Sequence, residues 1–432
     1  MSLLQFLPQC CDAENYLGLG LRCAQGGTCY DHLRPMGSIL WFSLPYRLGL
    51  PPESLILANL LLLLVSVVLS GYVASKSTMR FLGPRQRPGR WARRLLIALL
   101  FGLSALVHVV FLRPVLFNSL SDGPAALLVL IAISLIVVAR LDRSYITLGI
   151  AGALLGLAAW IRVFYLLPVV VLVGVYLVLW LKNHRRRLGE LTFLVALIPI
   201  LLQFIATYDA YGYVGYQEEE VARFWRHAHL SSSAMGYDTL LPAAGYTWSS
   251  TREIEDGLLG AWKRKDVAGA ICLVIDRVRF YFGSYSPRTY MGDANQHTDI
   301  PKGKIRVWSS SLLALNAFAT VGAAWFFIRK RRTLGEGGFI VTLLLALIFG
   351  EGLLIVPEQR FVLVFQVVTW VAFLASTLCL ATRLVVKCAP RWPTVRQIAR
   401  LHGSACSCGY TRVEEEGDSN KASFLRCHVG AH

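Results

Sequence analysis

Nine apolar stretches of roughly 17 to 22 residues recur along the chain, and no other feature constrains its fold as strongly. They lie near Ser54–Ser75, Leu95–Leu112, Pro124–Ala139, Tyr145–Ile161, Tyr165–Leu181, Leu191–Thr207, Val307–Ile328, Phe339–Val356 and Val362–Thr382. A helix of that length spans a hydrocarbon core of about 30 Å at about 1.5 Å per residue. Composition agrees, since 55% of the 432 residues are hydrophobic and only 16% charged, far more apolar surface than a soluble core of that size needs. The expected fold is an all-α polytopic membrane protein, with about nine transmembrane helices and a mixed, mainly helical outer domain.

The position of the charge sets the expected topology. Lys76, Arg80, Arg85, Arg87, Arg90, Arg93 and Arg94 follow the first window; Lys182, Arg185, Arg186 and Arg187 follow the fifth; Arg329, Lys330, Arg331 and Arg332 follow the seventh. If each window crosses once, all three clusters share a side, and an excess of Lys and Arg marks that side as the cytoplasm. The net charge of +17 therefore reports orientation, and no nucleic-acid partner is expected.

Five parts follow: an outer acidic loop (1–53), a six-helix membrane block (54–207), an outer domain (208–304), a three-helix membrane block (305–382) and a cytoplasmic tail (383–432). In the outer domain, Gly257 to Phe282 has apolar residues at helical spacing against a charged face. Two readings fit it: a helix lying on the membrane surface, or one packed on its own domain. The segment 1–53 falls outside with no basic, apolar signal peptide ahead of it. We expect a leading membrane helix upstream of Met1; the alternative is that insertion of the Ser54 helix pulls a short tail across. Cys10, Cys11, Cys23 and Cys29 lie in this outer segment, where a disulfide would persist, and four cysteines allow three full pairings. In the tail, Cys406, Cys408 and Cys427 near His402 and His428 match no common zinc-finger spacing, and a loosely ordered tail is the favoured reading.

Four places carry charge where an apolar window meets the outer side, where charge is costly. The first holds Asp12, Glu14 and Tyr16, followed by Arg34 and Pro35; its bland reading is a solvated loop. Asp122, in NSLSDGPAALLVLI, has the ordinary explanation of an acid and a proline in the first turn of a helix. Arg162, in GALLGLAAWIRVFYLLP, would otherwise be an interfacial anchor reaching for headgroups. Glu358, Gln359 and Arg360 in LIVPEQRFVLVF would otherwise form a plain hairpin turn.

In this order and on one side, these sites resemble the C-type superfamily of polytopic glycosyltransferases, which includes the dolichyl-phosphate-mannose protein mannosyltransferases and the bacterial aminoarabinose transferases of lipid A. Asp12-Ala-Glu-Asn-Tyr16 resembles the family's first outer loop, an acid followed by Tyr and a short amphipathic helix. Arg34-Pro35 is similar to the step that closes that loop, and Ser121-Asp122 to the second acidic site. GALLGLAAWIR with Pro168 resembles the small-residue span ending in an outer arginine. Pro357-Glu-Gln-Arg360-Phe resembles the acidic-arginine turn before the last span. The resemblance covers roughly Asp12 to Thr382; the chain departs from it in lacking the family's leading helix and in its outer domain.

The resemblance implies a membrane glycosyltransferase that moves a sugar from a polyprenyl-phosphate carrier to a glycan, lipid or protein acceptor. Its expected location is a bacterial inner (plasma) membrane, with the active site on the outer face and membrane lipid as a partner. Asp12 is the expected general base, with Glu14 in reserve and Asp122 orienting Asp12 or the acceptor. Arg360, then Arg34 and Arg162, would meet the leaving phosphate, with Tyr16 and Glu358 also binding substrate. No cofactor is certain; magnesium or manganese between Asp12 and Asp122 is an open alternative. Two competing readings remain. A ligase or polymerase of lipid-linked glycans would use Arg223, Arg226, His227 and His229 of the outer domain. A transporter or flippase of lipid-linked sugars would need the arginines but no base.

Overall fold

The computed structural model describes residues 12–31, 34–83, 88–116, 121–182, 188–212, 215–216, scattered positions within 267–282, 302–354 and 363–388. All the described elements are helical. Two short helices, α1 (Asp12–Ala24) and α2 (Met36–Arg47), precede the long ones. Then come α3 (Ser54–Leu82), α4 (Arg90–Leu116), α5 (Asp122–Asp142) and α6 (Tyr145–Ile161). A 3-10 turn at Val163–Tyr165 leads into α7 (Leu166–Lys182), and a nine-residue 3-10 stretch, Leu188–Ala196, leads into α8 (Leu197–Tyr211). The last two are α9 (Lys302–Leu354) and α10 (Leu363–Cys388). The chain falls into two units, Met1–Cys379 and Leu380–His432; in the second, the described part is the end of α10.

Among the described residues, six helices are long and apolar enough to cross a membrane: Ser54–Leu82, Arg90–Leu112, Asp122–Asp142, Val163–Leu181, Gly189–Tyr211 and Leu363–Val386. The other three expected windows appear as shorter apolar helices, Tyr145–Ile161, Leu313–Trp325 and Gly337–Leu353. The last two lie within one stretch of helical backbone, α9, yet Asn316 donates to the Phe282 carbonyl while Phe349 stacks on the Phe282 ring. Thirty-three helical residues would span about 50 Å, so the chain folds back between the two apolar stretches, as the sequence reading expects, in a segment whose Gly335, Gly337 and Gly338 are poor helix formers.

The ends of the other helices follow from their sequences. Ser144 caps α6, its Oγ accepting from the Thr147 amide, after Arg143 takes a left-handed φ of 54° to end α5. Gly212, at φ 73°, ends α8. At the other end of α6 the backbone breaks at Arg162, which is extended (φ −140°, ψ 113°), before the 3-10 turn resumes the helical sense.

Helix α5 is the axis of the core: nearly every side chain from Asp122 to Ile136 is buried, between α3, α4, α6 and α9. Its neighbour α6 carries Gly149, Gly152 and Gly156 facing the Leu188–Ala196 stretch, and a Cβ at Gly156 would sit 2.2 Å from the Ala196 carbonyl oxygen. Such small-residue faces let backbones approach without bulk between them. At the Arg140 end of α5 lies a polar layer. Arg140 grips Glu190 with two 2.5 Å hydrogen bonds, Lys76 pairs with Asp142, and Arg80 donates to the Leu141 carbonyl. Gly337 of α9 lies against the Arg140 side chain, so the Gly337–Leu353 stretch starts at this end and runs antiparallel to α5.

Gly156→Ala should cost about 1–3 kcal/mol through overpacking, whereas Gly102→Ala, with nothing within 4 Å of the added methyl, should be neutral or stabilising by up to about 1 kcal/mol. Thermal unfolding in detergent reads both; equal losses would show that α6 does not rely on this close approach.

Candidate functional site

Three separated segments meet at the Asp122 end of the bundle. Helix α1 supplies Tyr16, which is 1% exposed and stacked on Phe42 of α2 at 4.8 Å between ring centroids. The residue before Pro35 supplies Arg34, itself buried, whose guanidinium carbon lies 4.7 Å over the Tyr16 ring. This arrangement depends on close docking of α2. A Cβ at Gly37 would stand 2.6 Å from the Trp160 carbonyl oxygen, and the Met36 amide donates to Gln203 Oε1 at 2.9 Å. Arg34 is thereby brought to the end of α6, where Arg162 projects from the extended break.

Arg162 links the segments. Its Nε lies 3.0 Å from Asp122 Oδ1, and its Nη1 makes long contacts of 3.4 Å with both the Tyr16 hydroxyl and Ser121 Oγ. Those two hydroxyls are joined by a buried 2.9 Å hydrogen bond. Asp122 opens α5, where a carboxylate is favoured by the helix dipole. The capping explanation is thus true but incomplete, because the same carboxylate is a buried partner of Arg162. Tyr165, fully enclosed in the 3-10 turn after Arg162, lies within electrostatic reach of Asp122, Arg162 and Glu351.

Of the residues expected from the sequence, Tyr16, Arg34, Asp122 and Arg162 are therefore brought together. Asp12 and Glu14 lie in the first turn of α1, with Asp12 four residues before Tyr16 and so on the same helix face, but their side chains lie outside the described residues. Glu358 and Arg360, Arg223, Arg226, His227 and His229 of the outer domain, and the tail cysteines and histidines also lie outside them. Sequence reading passed over Tyr165 and Glu351. Glu351 carried a signal, as a single acid among the apolar residues of Phe339–Val356; Tyr165 carried none beyond its place after Arg162.

Cys23 is bonded to Cys29, which excludes the pairings that join either of them to Cys10 or Cys11. The Arg47 guanidinium lies against both sulfurs, at 3.3 and 3.7 Å. Helix positions described within 267–282 put Val267, Ile271 and Ile275, four residues apart, on one exposed apolar face, while Phe282 is buried on Phe349 and Phe365. That pattern favours an apolar face turned to lipid over a helix wholly packed on its own domain.

Of the two residues expected to hold a magnesium or manganese, Asp12 has its side chain outside the described residues, and Asp122 Oδ1 faces the Arg162 guanidinium. No group of three or more His, Cys, Asp or Glu stands together among the described residues. A cavity of about 100 Å³ opens elsewhere, lined by Ser70, Ser134, Val341 and Val371 among others; its lining is apolar and includes none of the cluster. Comparison with family models, curated proteins and solved structures finds no match to this chain.

Arg162→Ala should destabilise the protein by about 3–5 kcal/mol, because it strands Asp122 as a buried charge. Asp122→Asn, which keeps the shape, should cost less, and Arg162→Leu with Asp122→Leu should cost less than Arg162→Ala alone. Thermal shifts of the purified variants test this; simple additivity of the two Leu substitutions would contradict the coupling.

Proposed function

We propose that the chain is a membrane glycosyltransferase that takes a sugar from a polyprenyl-phosphate carrier and passes it to a hydroxyl of a glycan, lipid or protein acceptor. The observation that carries the reading is the meeting of Tyr16, Arg34, Asp122 and Arg162, drawn from three segments, at one end of an apolar bundle. Two guanidinium groups at one end of an apolar helical bundle are costly to hold there, and a ligand that needs them gives that cost a return. A phosphate-bearing lipid headgroup is the ligand such groups suit, because a guanidinium is always charged and binds two oxygens at once.

In this reading the three shorter apolar helices complete nine crossings, the basic clusters face the cytoplasm and the site faces outward. The Cys23–Cys29 disulfide supports that orientation, because disulfides persist in oxidising compartments. The acceptor oxygen attacks the anomeric carbon from the face opposite the phosphate. Its proton passes to Asp12 as the new bond forms, and the bond from the anomeric carbon to the phosphate oxygen breaks, its electron pair leaving with the phosphate. Configuration inverts. Arg162 and Arg34, together with Arg360, stabilise the charge that grows on the leaving phosphate. Asp122 acts through Arg162, which it holds in place; Tyr16 and Glu358 complete the substrate contacts. A transporter of lipid-linked sugars is the second reading, favoured by the same arginines.

Glycan composition of the host, at matched membrane levels of protein, separates the two. Asp12→Asn and Arg360→Ala should each remove one sugar decoration and leave undecorated acceptor to accumulate, with losses of at least about 100-fold for the base. Normal decoration in Asp12→Asn alongside failure in Arg162→Lys would favour transport.

A further inference from the structure

Glu351 is a buried acidic side chain that the reading above leaves without a task. It lies in the apolar stretch Gly337–Leu353, is 4% exposed, and its Oε2 has no hydrogen-bond partner among the described residues. An isolated carboxyl oxygen inside an apolar helix bundle is costly, and a polar ligand that reaches it removes that cost. Its neighbour Gly350 leaves open space where a side chain would stand, with nothing within 4 Å of a built Cβ. Because the stretch starts beside Arg140 and runs antiparallel to α5, Glu351 reaches the end of the bundle that holds Asp122, and Tyr165 lies within electrostatic reach of both carboxyl groups.

We infer that Glu351 is the sugar-binding carboxyl group of the site, accepting a hydrogen bond from a hydroxyl of the sugar that the carrier presents. The inference rests on the transferase reading. Three observations assign the sugar to Glu351 in preference to the phosphate or the acceptor. The arginines, always charged and able to bind two oxygens at once, are the groups that suit the phosphate. Asp122 already faces Arg162, which leaves Glu351 Oε2 as an open acceptor. Finally, Glu351 sits in the apolar stretch Gly337–Leu353, inside the bundle that a lipid-borne sugar would have to reach, whereas Asp12 sits on the short helix before the bundle. Sugar hydroxyls are neutral donors, and a buried acceptor built for a hydroxyl discriminates strongly against ligands that lack it.

The test uses purified full-length protein in lipid nanodiscs and two ligands: bare polyprenyl phosphate, without sugar, measured by direct binding, and the host's own polyprenyl-phosphate sugar pool, measured by transfer. Glu351→Leu should raise the KM for the sugar-bearing donor about ten-fold or more, while the affinity for bare polyprenyl phosphate stays within about two-fold of wild type. Glu351→Gln, which keeps the shape and one acceptor oxygen, should fall between the two and guards against a folding defect. Arg162→Lys should weaken both ligands. If bare polyprenyl phosphate binds and Arg162→Lys weakens it while Glu351→Leu leaves the donor KM unchanged, the sugar-binding role is overturned and the transferase reading stands. Equal weakening of both ligands by Glu351→Leu also overturns it, as a packing effect. If wild-type protein does not bind bare polyprenyl phosphate, the transferase reading falls and the role of Glu351 falls with it.

Discussion

The ion pair between Arg162 and Asp122 ties together the first residue of the most buried helix and the residue at which α6 breaks. Both side chains are almost entirely enclosed, so each is tolerable only because of the other. The pair fixes where α5 begins relative to the end of α6. Through Arg162 it also fixes the Tyr16 and Ser121 hydroxyls, and through the Tyr16 ring the buried guanidinium of Arg34. The segment before α3 would otherwise hold to the bundle mainly by the small apolar contacts of α1 and α2.

Helix α5 carries charge at both ends and an apolar run between them. At one end Asp122 meets Arg162; at the other Arg140 meets Glu190 from the 3-10 stretch. Two paired charges about 27 Å apart along a helix bracket a length close to that of a hydrocarbon core. Between them several polar groups are locally satisfied. His108 holds Ser66 Oγ with Nε2 and the Ser104 carbonyl with Nδ1, and Ser134 donates to the Leu130 carbonyl. Such local bonds let these residues stay inside an apolar medium.

The site was partly legible in advance. Asp122 and Arg162 stood out because charge beside a long apolar run is costly, and Tyr16 and Arg34 because they matched an ordered pattern. Glu351 obeyed the same rule but was hidden by the length of its window, which reads as a continuous span when hydropathy is averaged. Tyr165 had no signal, because a tyrosine at the start of an apolar helix is ordinary. The reversal between the two apolar stretches of α9 was legible as a basic run between them, because charge is costly at membrane depth.

Sequence alone determined that the chain is helical and apolar, and where most of its helices lie, because hydropathy and helix length are local properties that survive any packing. Residue type and spacing also picked out Asp122 and Arg162 one at a time. Only the tertiary structure decided that they face each other, that Tyr16 and Arg34 join them across more than a hundred residues, and that Cys23 pairs with Cys29. Those choices depend on close backbone approach at Gly37 and Gly156 and on the extended break at Arg162. Such contacts arise between surfaces distant in the chain, and no local pattern records them.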